Sequence, residues 1–205
     1  MAILLVRHGE TALNAARVMQ PVDTPLSVRG EAQARALGRR LAQRGGIGAI
    51  LSSDLPRAWH TAAAIADVLA LPIEPSARLQ ERNFGDLRGR PYDALGFDPL
   101  AMEAAPPGGE SAADFAQRVA MALDEMLQRH AGLHGDLVVV THGLVIRGLL
   151  GGPLCLSAAR LRDLHLANTS LSIFDAAPPH ALQLLNCTRH LDAAMRDDAH
   201  ALSGG

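Results

Sequence analysis

Continuous apolar runs predict three buried strands, at residues 2–6, 47–51 and 136–141. Each run is short and is followed by a polar or glycine-containing segment, a pattern typical of parallel strands covered on both faces. A short strand is predicted around Ile73, and residues 169–174 and 181–186 have the composition of two closing strands. These segments together supply the strands of one sheet.

Apolar residues at helical spacing predict the helices that separate these strands. The predicted helices cover residues 27–44, 55–69 and 111–131, a short segment from about residue 144, and residues 157–165. Ser27 and Asp54 are the expected N-caps of the first two, and Ser111 with Asp114 predicts a capping box for the third. The alternation of strands and helices predicts an α/β fold, a three-layer sandwich whose mostly parallel central sheet is flanked by helices.

Glycine and proline punctuate residues 75–110, where the regular pattern breaks down. A segment of this length without regular structure is usually a functional lid or is disordered, and we expect a lid or insertion here. The domain organisation predicted is one domain over residues 1–187 that contains this lid, followed by a polar, flexible tail over residues 188–205.

Composition narrows the classes of function. The net charge is −2 and aromatic residues are 3% of the 205, which gives no basis for binding nucleic acid or an anionic membrane. Two distant cysteines and the lack of an apolar run of about 18 residues predict a soluble, cytoplasmic protein. All 19 basic residues are arginine, so any anion site must be built from arginine, histidine and backbone N–H groups.

Residues suited to phosphoryl transfer follow the predicted strands. Arg7 and His8 follow the strand predicted at residues 2–6. Arg57 comes shortly after the strand at residues 47–51, and His142 follows the strand at residues 136–141. The carboxyl ends of parallel strands meet at one edge of a sheet, where such folds bind ligands. A neutral imidazole is a competent nucleophile, and a guanidinium matches phosphate oxygens in pairs. This pattern predicts a phosphoryl-transfer site but does not identify the acid that protonates the leaving oxygen.

A set of motifs in this order resembles the histidine phosphatase superfamily, which includes the cofactor-dependent phosphoglycerate mutases. The motifs are Arg7-His8-Gly9-Glu10-Thr11, Ser52-Ser53-Asp54-Leu55-Pro56-Arg57, Glu81-Arg82-Asn83-Phe84-Gly85, Pro107-Gly108-Gly109-Glu110-Ser111, Val140-Thr141-His142-Gly143 and Asn168-Thr169-Ser170. The resemblance implies the phosphoglycerate mutase-like α/β fold, with His8 as the phosphorylated nucleophile and Glu81 as the proton donor. It also implies a phosphate-binding set of Arg7, Asn14, Gln20, Arg57, His142 and Gly143.

The resemblance implies no metal and no organic cofactor, and a small phosphorylated metabolite as the partner. One departure is Pro21, which follows Gln20 where many relatives have glycine. Proline has no N–H, so the backbone contact expected from that stretch is in question. Arg88 and Arg90 lie near the lid, and either substrate contact or simple solvation describes them.

Two enzymatic functions, phosphatase and mutase, would use the same core residues. In a phosphatase water accepts the phosphoryl group, and in a mutase another hydroxyl does. Mutases that the chain resembles hold the substrate carboxylate with a lysine and an arginine pair in a longer lid. This chain has no lysine, and no arginine between Pro91 and Glu110, which favours the phosphatase. A non-catalytic binding module would have lost one or more of the core residues, but all are present: His8, Arg7, Arg57, Glu81 and His142. A metal hydrolase is disfavoured because the sequence lacks a carboxylate-rich set of metal ligands. A homodimer is compatible with the sequence.

Overall fold

The computed structural model describes residues 1–196 and contains one six-stranded sheet. Its strands are β1 (Ala2–Arg7), β2 (Ile47–Ser52), β3 (Ile73–Pro75), β4 (Asp136–Thr141), β5 (Leu171–Asp175) and β6 (Leu182–Cys187). They lie in the order β3-β2-β4-β1-β5-β6. The first four of these are parallel, whereas β5 runs antiparallel to β1, and β6 antiparallel to β5. The predicted mostly parallel sheet is confirmed.

The α-helices are α1 (Ala12–Ala15), α2 (Val28–Arg44), α3 (Pro56–Leu69), α4 (Ala112–Ala131), α5 (Gly143–Gly151) and α6 (Ala158–Arg162). Ser27 caps α2, and Ser111 forms the predicted capping box with Asp114 at the start of α4. The N-cap predicted for α3 is wrong. Leu55 occupies that position without a side-chain cap, because its aliphatic side chain cannot accept a hydrogen bond from the first-turn N–H groups. Asp54 instead accepts a hydrogen bond from Gln80.

Side chains alternate between the two faces of β1, and each face is covered by helices. Ile3 and Leu5 belong to the hydrophobic cluster that includes residues of α4 and α5. Leu4 and Val6 belong to the cluster that includes residues of α2 and α3. All four side chains are fully buried, as the continuous apolar run requires of a strand between two helical layers. The three-layer architecture is therefore confirmed.

The segment predicted as a lid contains four short 3₁₀ turns, at Ala77–Leu79, Gly85–Leu87, Tyr92–Ala94 and Pro99–Ala101. It folds back on itself at Gly85, which has a positive φ of 49°. A side chain at this position would overlap the carbonyl oxygen of Pro107, so only glycine permits the close approach. Residues 83–86 and 107–110 of the segment are thereby held in close contact.

The chain contacts the domain beyond residue 187, where the flexible tail was predicted to begin. Leu191 is buried, and the carbonyl of Met195 accepts a hydrogen bond from Gln33. The rest of the predicted tail, residues 197–205, lies outside the described residues. Within residues 1–196, we find no helix with the length and apolarity needed to cross a bilayer.

Candidate active site

The end of β1 places Arg7 and His8 against the end of β4. The backbone N–H of His8 donates to the carbonyl of Thr141 at 2.9 Å, which extends the parallel pairing of the two strands by one residue. The ring centroids of His8 and His142 are consequently 5.1 Å apart. Arg7 is anchored by a bond from its guanidinium to the carbonyl of Leu166. Both histidines and Arg7 are almost completely buried.

The ring of His8 is oriented by its own backbone neighbour. Its Nδ1 lies 2.7 Å from the carbonyl oxygen of Gly9. A carbonyl only accepts hydrogen bonds, so Nδ1 carries the proton and Nε2 carries the lone pair. Burial, followed by the charges of Arg57 and Arg7, holds the pKa of His8 well below its ordinary value of 6.5. His8 is therefore a neutral imidazole at neutral pH, and the lone pair on Nε2 is of the kind that nucleophilic catalysis requires.

The loop that carries His8 is fixed by two polar side chains that sequence reasoning assigned no role. Asn168 donates its amide to the carbonyl of His8 at 2.9 Å, and the N–H of Gly9 donates to the hydroxyl of Thr61 at 2.9 Å. Both side chains are buried. Asn168 belongs to a motif of the resemblance, which was the available signal. Thr61 lies one helical turn after Arg57, on the same face of α3.

His142 lies at the N-cap of α5, and its Nε2 is 2.9 Å from the hydroxyl of Ser53. That hydroxyl accepts the N–H of Leu55, and it can also donate its own proton to Nε2 of an imidazole whose ring proton is on Nδ1. In this tautomer Nδ1 of His142 is a donor, and it is a buried atom without a hydrogen-bond partner within residues 1–196. Burial, then Arg57, His8 and further arginines, lowers the pKa of His142, which is therefore neutral.

Arg57 lies in the first turn of α3 and is 2% exposed. One guanidinium nitrogen is 3.4 Å from the carbonyl oxygen of Pro21, whereas the buried Nε has no partner in the described part of the chain. Burial lowers the pKa of Arg57 to about 10, so the side chain stays cationic at neutral pH. Pro21 removes an N–H from this stretch, but its carbonyl helps to position the arginine.

Glu81 joins the site from the start of the predicted lid and is 4% exposed. One carboxylate oxygen accepts the N–H of Arg82 at 2.9 Å, and the other accepts the N–H of Leu144 at 3.1 Å. Leu144 is in the first turn of α5, where unpaired N–H groups favour a carboxylate. The charge of Glu81 acts on Arg57, opposing the effect of burial on that guanidinium. The carboxyl group therefore stands at the edge of the cationic site.

The remaining predicted site residues lie in the same region. The amide oxygen of Asn14 accepts the N–H of Thr11, while its buried amide nitrogen has no hydrogen-bond partner among the described residues. The amide oxygen of Gln20 is 2.8 Å from the hydroxyl of Thr11. Gly143 is the first residue of α5. Helix α1, which carries Asn14, was not predicted, because a four-residue helix has no periodic signal.

A parallel sheet edge that carries two neutral histidines and two buried arginines defines an enzyme of phosphoryl transfer. The family description "Histidine phosphatase superfamily (branch 1)" matches residues 3–188, and the chain belongs to this superfamily.

The individual relatives include both a probable mutase and phosphatases, the two activities that the sequence left open. The chain is 36% identical over 214 residues to a probable phosphoglycerate mutase GpmB of Yersinia pestis (strain Pestoides F), covering 97% of this chain and 98% of the relative. Among solved structures, the alpha-ribazole phosphatase from Shigella flexneri superposes with a TM-score of 0.79 and 27% identity over 92% of this chain and 97% of that one. A mycobacterial glucosyl-3-phosphoglycerate phosphatase complexed with VO3 superposes with a TM-score of 0.76 and is 30% identical in sequence, over 90% of this chain and 98% of that one.

Proposed function

We propose that this chain is a phosphomonoesterase that hydrolyses a small phosphorylated metabolite through a phosphohistidine on His8. The observation that carries the proposal is the 2.7 Å contact between Nδ1 of His8 and the carbonyl of Gly9, because it leaves the Nε2 lone pair available beside Arg7 and Arg57. The phosphatases among the structural relatives support this reading.

In the first step Nε2 of His8 attacks phosphorus, and the bond from phosphorus to the ester oxygen breaks. Glu81 in its acid form gives a proton to that oxygen, so an alcohol leaves. The phosphorylated ring is cationic because Nδ1 keeps its proton, and the carbonyl of Gly9 stabilises that charge. The guanidinium groups of Arg7 and Arg57 and the Nδ1–H of His142 bind the equatorial oxygens.

In the second step water attacks the phosphorus and Glu81, now a carboxylate, removes its proton. The bond between phosphorus and Nε2 breaks, and the ring returns to the neutral tautomer with phosphate released. We assign Asn14, Gln20 and Gly143 to phosphate or substrate binding, since the amide nitrogen of Asn14 is buried without a partner in residues 1–196.

The second candidate function is a mutase, favoured by the 36% identity to a probable phosphoglycerate mutase. It needs no new residue at phosphorus, because only the final acceptor differs. The absence of lysine from the sequence, and of arginine between Pro91 and Glu110, supports water as the acceptor.

A panel of phosphomonoesters assayed for released phosphate tests the proposal, with isomerisation of 3-phosphoglycerate followed in parallel. We expect hydrolysis in the presence of chelator and about a 1,000-fold loss or more in His8→Ala, as for removal of a nucleophile. The protein trapped with labelled substrate should carry an adduct that is labile in acid and stable in base. Isomerisation much faster than hydrolysis of every ester would contradict the phosphatase reading, and full activity of His8→Ala would exclude the nucleophile.

A further inference from the structure

Arg88 lies in a segment that is paired with the loop lining the phosphate site. The N–H of Gly89 donates to the carbonyl of Met19 at 2.7 Å, and the N–H of Met19 donates to the carbonyl of Arg90 at 3.0 Å. Met19 immediately precedes Gln20, whose amide oxygen contacts Thr11 in the site. The backbone that immediately follows Arg88 is thus attached to the wall of the pocket.

Packing places the same segment against α5, the helix whose first turn binds the proposed proton donor. Leu87, next to Arg88, is buried in a small cluster with Met19, Phe84 and Leu144. The backbone N–H of Leu144 is the group that binds the carboxylate of Glu81. Arg88 therefore follows a residue that packs against the helix whose first turn holds the proposed proton donor, and its charge acts on Arg57 in the site.

The guanidinium of Arg88 has no dedicated counter-ion. The side chain is half-buried, and within residues 1–196 it makes neither a hydrogen bond nor an ion pair. The carboxylate that acts on it electrostatically is Glu110, which is already paired with Arg118 through two bonds. Burial lowers the pKa of Arg88, and its charge in turn lowers the pKa of Arg57, so the two cations share one region.

This third cation exceeds what the phosphoryl group needs. The two neutral histidines, Arg7 and Arg57 together carry two positive charges, which match the dianion of a phosphomonoester. A partly desolvated guanidinium without a partner is unfavourable until an anion binds it. A single guanidinium matches a carboxylate in charge and in its paired donor geometry, whereas a second phosphate group would need more than one cation.

We infer that Arg88 determines substrate specificity by binding a carboxylate on the alcohol part of the phosphomonoester. The inference rests on the proposed phosphatase function and adds a substrate class to it: phosphorylated hydroxy acids or amino acids. Arg88 does not contact the reacting atoms in this assignment, and its effect is confined to recognition of the substrate.

Two pairs of esters that differ by a carboxylate provide the test: phosphoserine against phosphoethanolamine, and 3-phosphoglycerate against glycerol 3-phosphate. The value of kcat/KM is measured for each ester with the wild type, Arg88→Gln, Arg88→Lys and Arg90→Gln. Arg90 is the matched control, because it is exposed and its contact with Met19 is made by the backbone. Thermal unfolding of each variant verifies that the fold is retained.

We expect the wild type to prefer the carboxylate member of each pair. In Arg88→Gln this preference should fall about 10- to 100-fold, as for loss of a charge-assisted hydrogen bond. Arg88→Lys should recover part of it, and Arg90→Gln should keep the wild-type ratio. An equal loss on both members of a pair, or a wild type without preference, would overturn the inference while leaving the phosphatase function intact. A wild type that hydrolyses no phosphomonoester would instead contradict the proposed function itself.

Discussion

The Nε2 atom of His142 lies 2.9 Å from the hydroxyl oxygen of Ser53, a contact that joins the ends of two neighbouring strands. β2 and β4 pair in parallel up to Ser52 and Val140, so the residues just beyond them emerge side by side. The hydroxyl accepts the N–H of Leu55 and can donate its own proton to the imidazole. When Ser53 donates in this way, His142 carries its proton on Nδ1 and can donate from that atom.

Loss of this contact should lower the rate of phosphoryl transfer. We expect Ser53→Ala to reduce kcat by about 5- to 50-fold, because a free His142 ring populates the other tautomer and other orientations. KM should change less than kcat if the donor acts mainly in the transition state. Steady-state kinetics on one good ester gives both values. Ser52→Ala is the control, since the Ser52 hydroxyl bonds to the carbonyl of Ser53 and not to His142. An unchanged kcat in Ser53→Ala would exclude this role.

Glu81 as proton donor predicts a dependence on the leaving group. Glu81→Gln should lower kcat/KM for an alkyl phosphate by about 100-fold or more, the usual contribution of a general acid. For p-nitrophenyl phosphate the loss should be much smaller, because that leaving group departs as a stable anion. Phosphate release from the two esters measures the difference.

The control for this variant is Glu103→Gln, an exposed carboxylate on the same segment of chain. It should leave both rates unchanged. A loss in Glu81→Gln that is equal for the two esters would mean that Glu81 positions other groups and does not supply the proton.

The strands, and the edge of the sheet that carries the candidate catalytic residues, were predictable from sequence because both depend on local patterns. A run such as residues 136–141 encodes burial on both faces, and the polar residues after it must emerge at the sheet edge. The contact between His142 and Ser53 was not predictable, since it depends on which strands are neighbours. The hydrophobic pattern likewise did not predict the position of the irregular segment around Arg88. Its position is set by backbone bonds to Met19, which a periodicity argument does not detect.

The buried histidines predict that the protein loses stability in mild acid. Burial lowers the pKa of His8 and of His142 in the folded state below the ordinary value of 6.5. As the pH falls below 6.5, the unfolded chain binds protons that the folded chain does not, so the free energy of unfolding decreases. Above pH 6.5 this contribution to stability is fully present. Each such histidine contributes a slope of at most about 1.4 kcal/mol per pH unit.

Urea unfolding between pH 7.5 and 5.5 measures this slope. His8→Asn should reduce it by about 1.4 kcal/mol per pH unit at most, because one of the contributing groups is removed. His60→Asn is the matched control, since His60 is exposed, and it should keep the wild-type slope. A slope in His8→Asn equal to that of the wild type would show that His8 is protonated in the folded state over this range.

The loop that carries His8 is held against the start of α2 by contacts that leave no room for a side chain. The carbonyl of Glu10 accepts the N–H of Ser27 at 2.8 Å, and its carboxylate binds the hydroxyl of Ser27 and the guanidinium of Arg29. A Cβ on Gly30 would overlap the carbonyl oxygen of Glu10, and one on Gly9 would lie 2.6 Å from the carbonyl oxygen of Gly30. Backbone packs on backbone here, so neither position can relax by moving a side chain.

Gly30→Ala should therefore destabilise the fold and displace the nucleophile. We expect the free energy of unfolding to fall by about 2–4 kcal/mol, in the range of steric insertions into a packed interior. Activity at a temperature where the variant is folded should fall as well, because the added methyl pushes the Glu10 backbone two residues from His8. Gly132→Ala is the control: its φ is −90° and the nearest neighbouring atom to an added Cβ is at 4.0 Å. Urea unfolding and phosphate release at saturating substrate measure the two effects. A Gly30→Ala variant as stable and active as Gly132→Ala would show that α2 does not fix the position of the His8 loop.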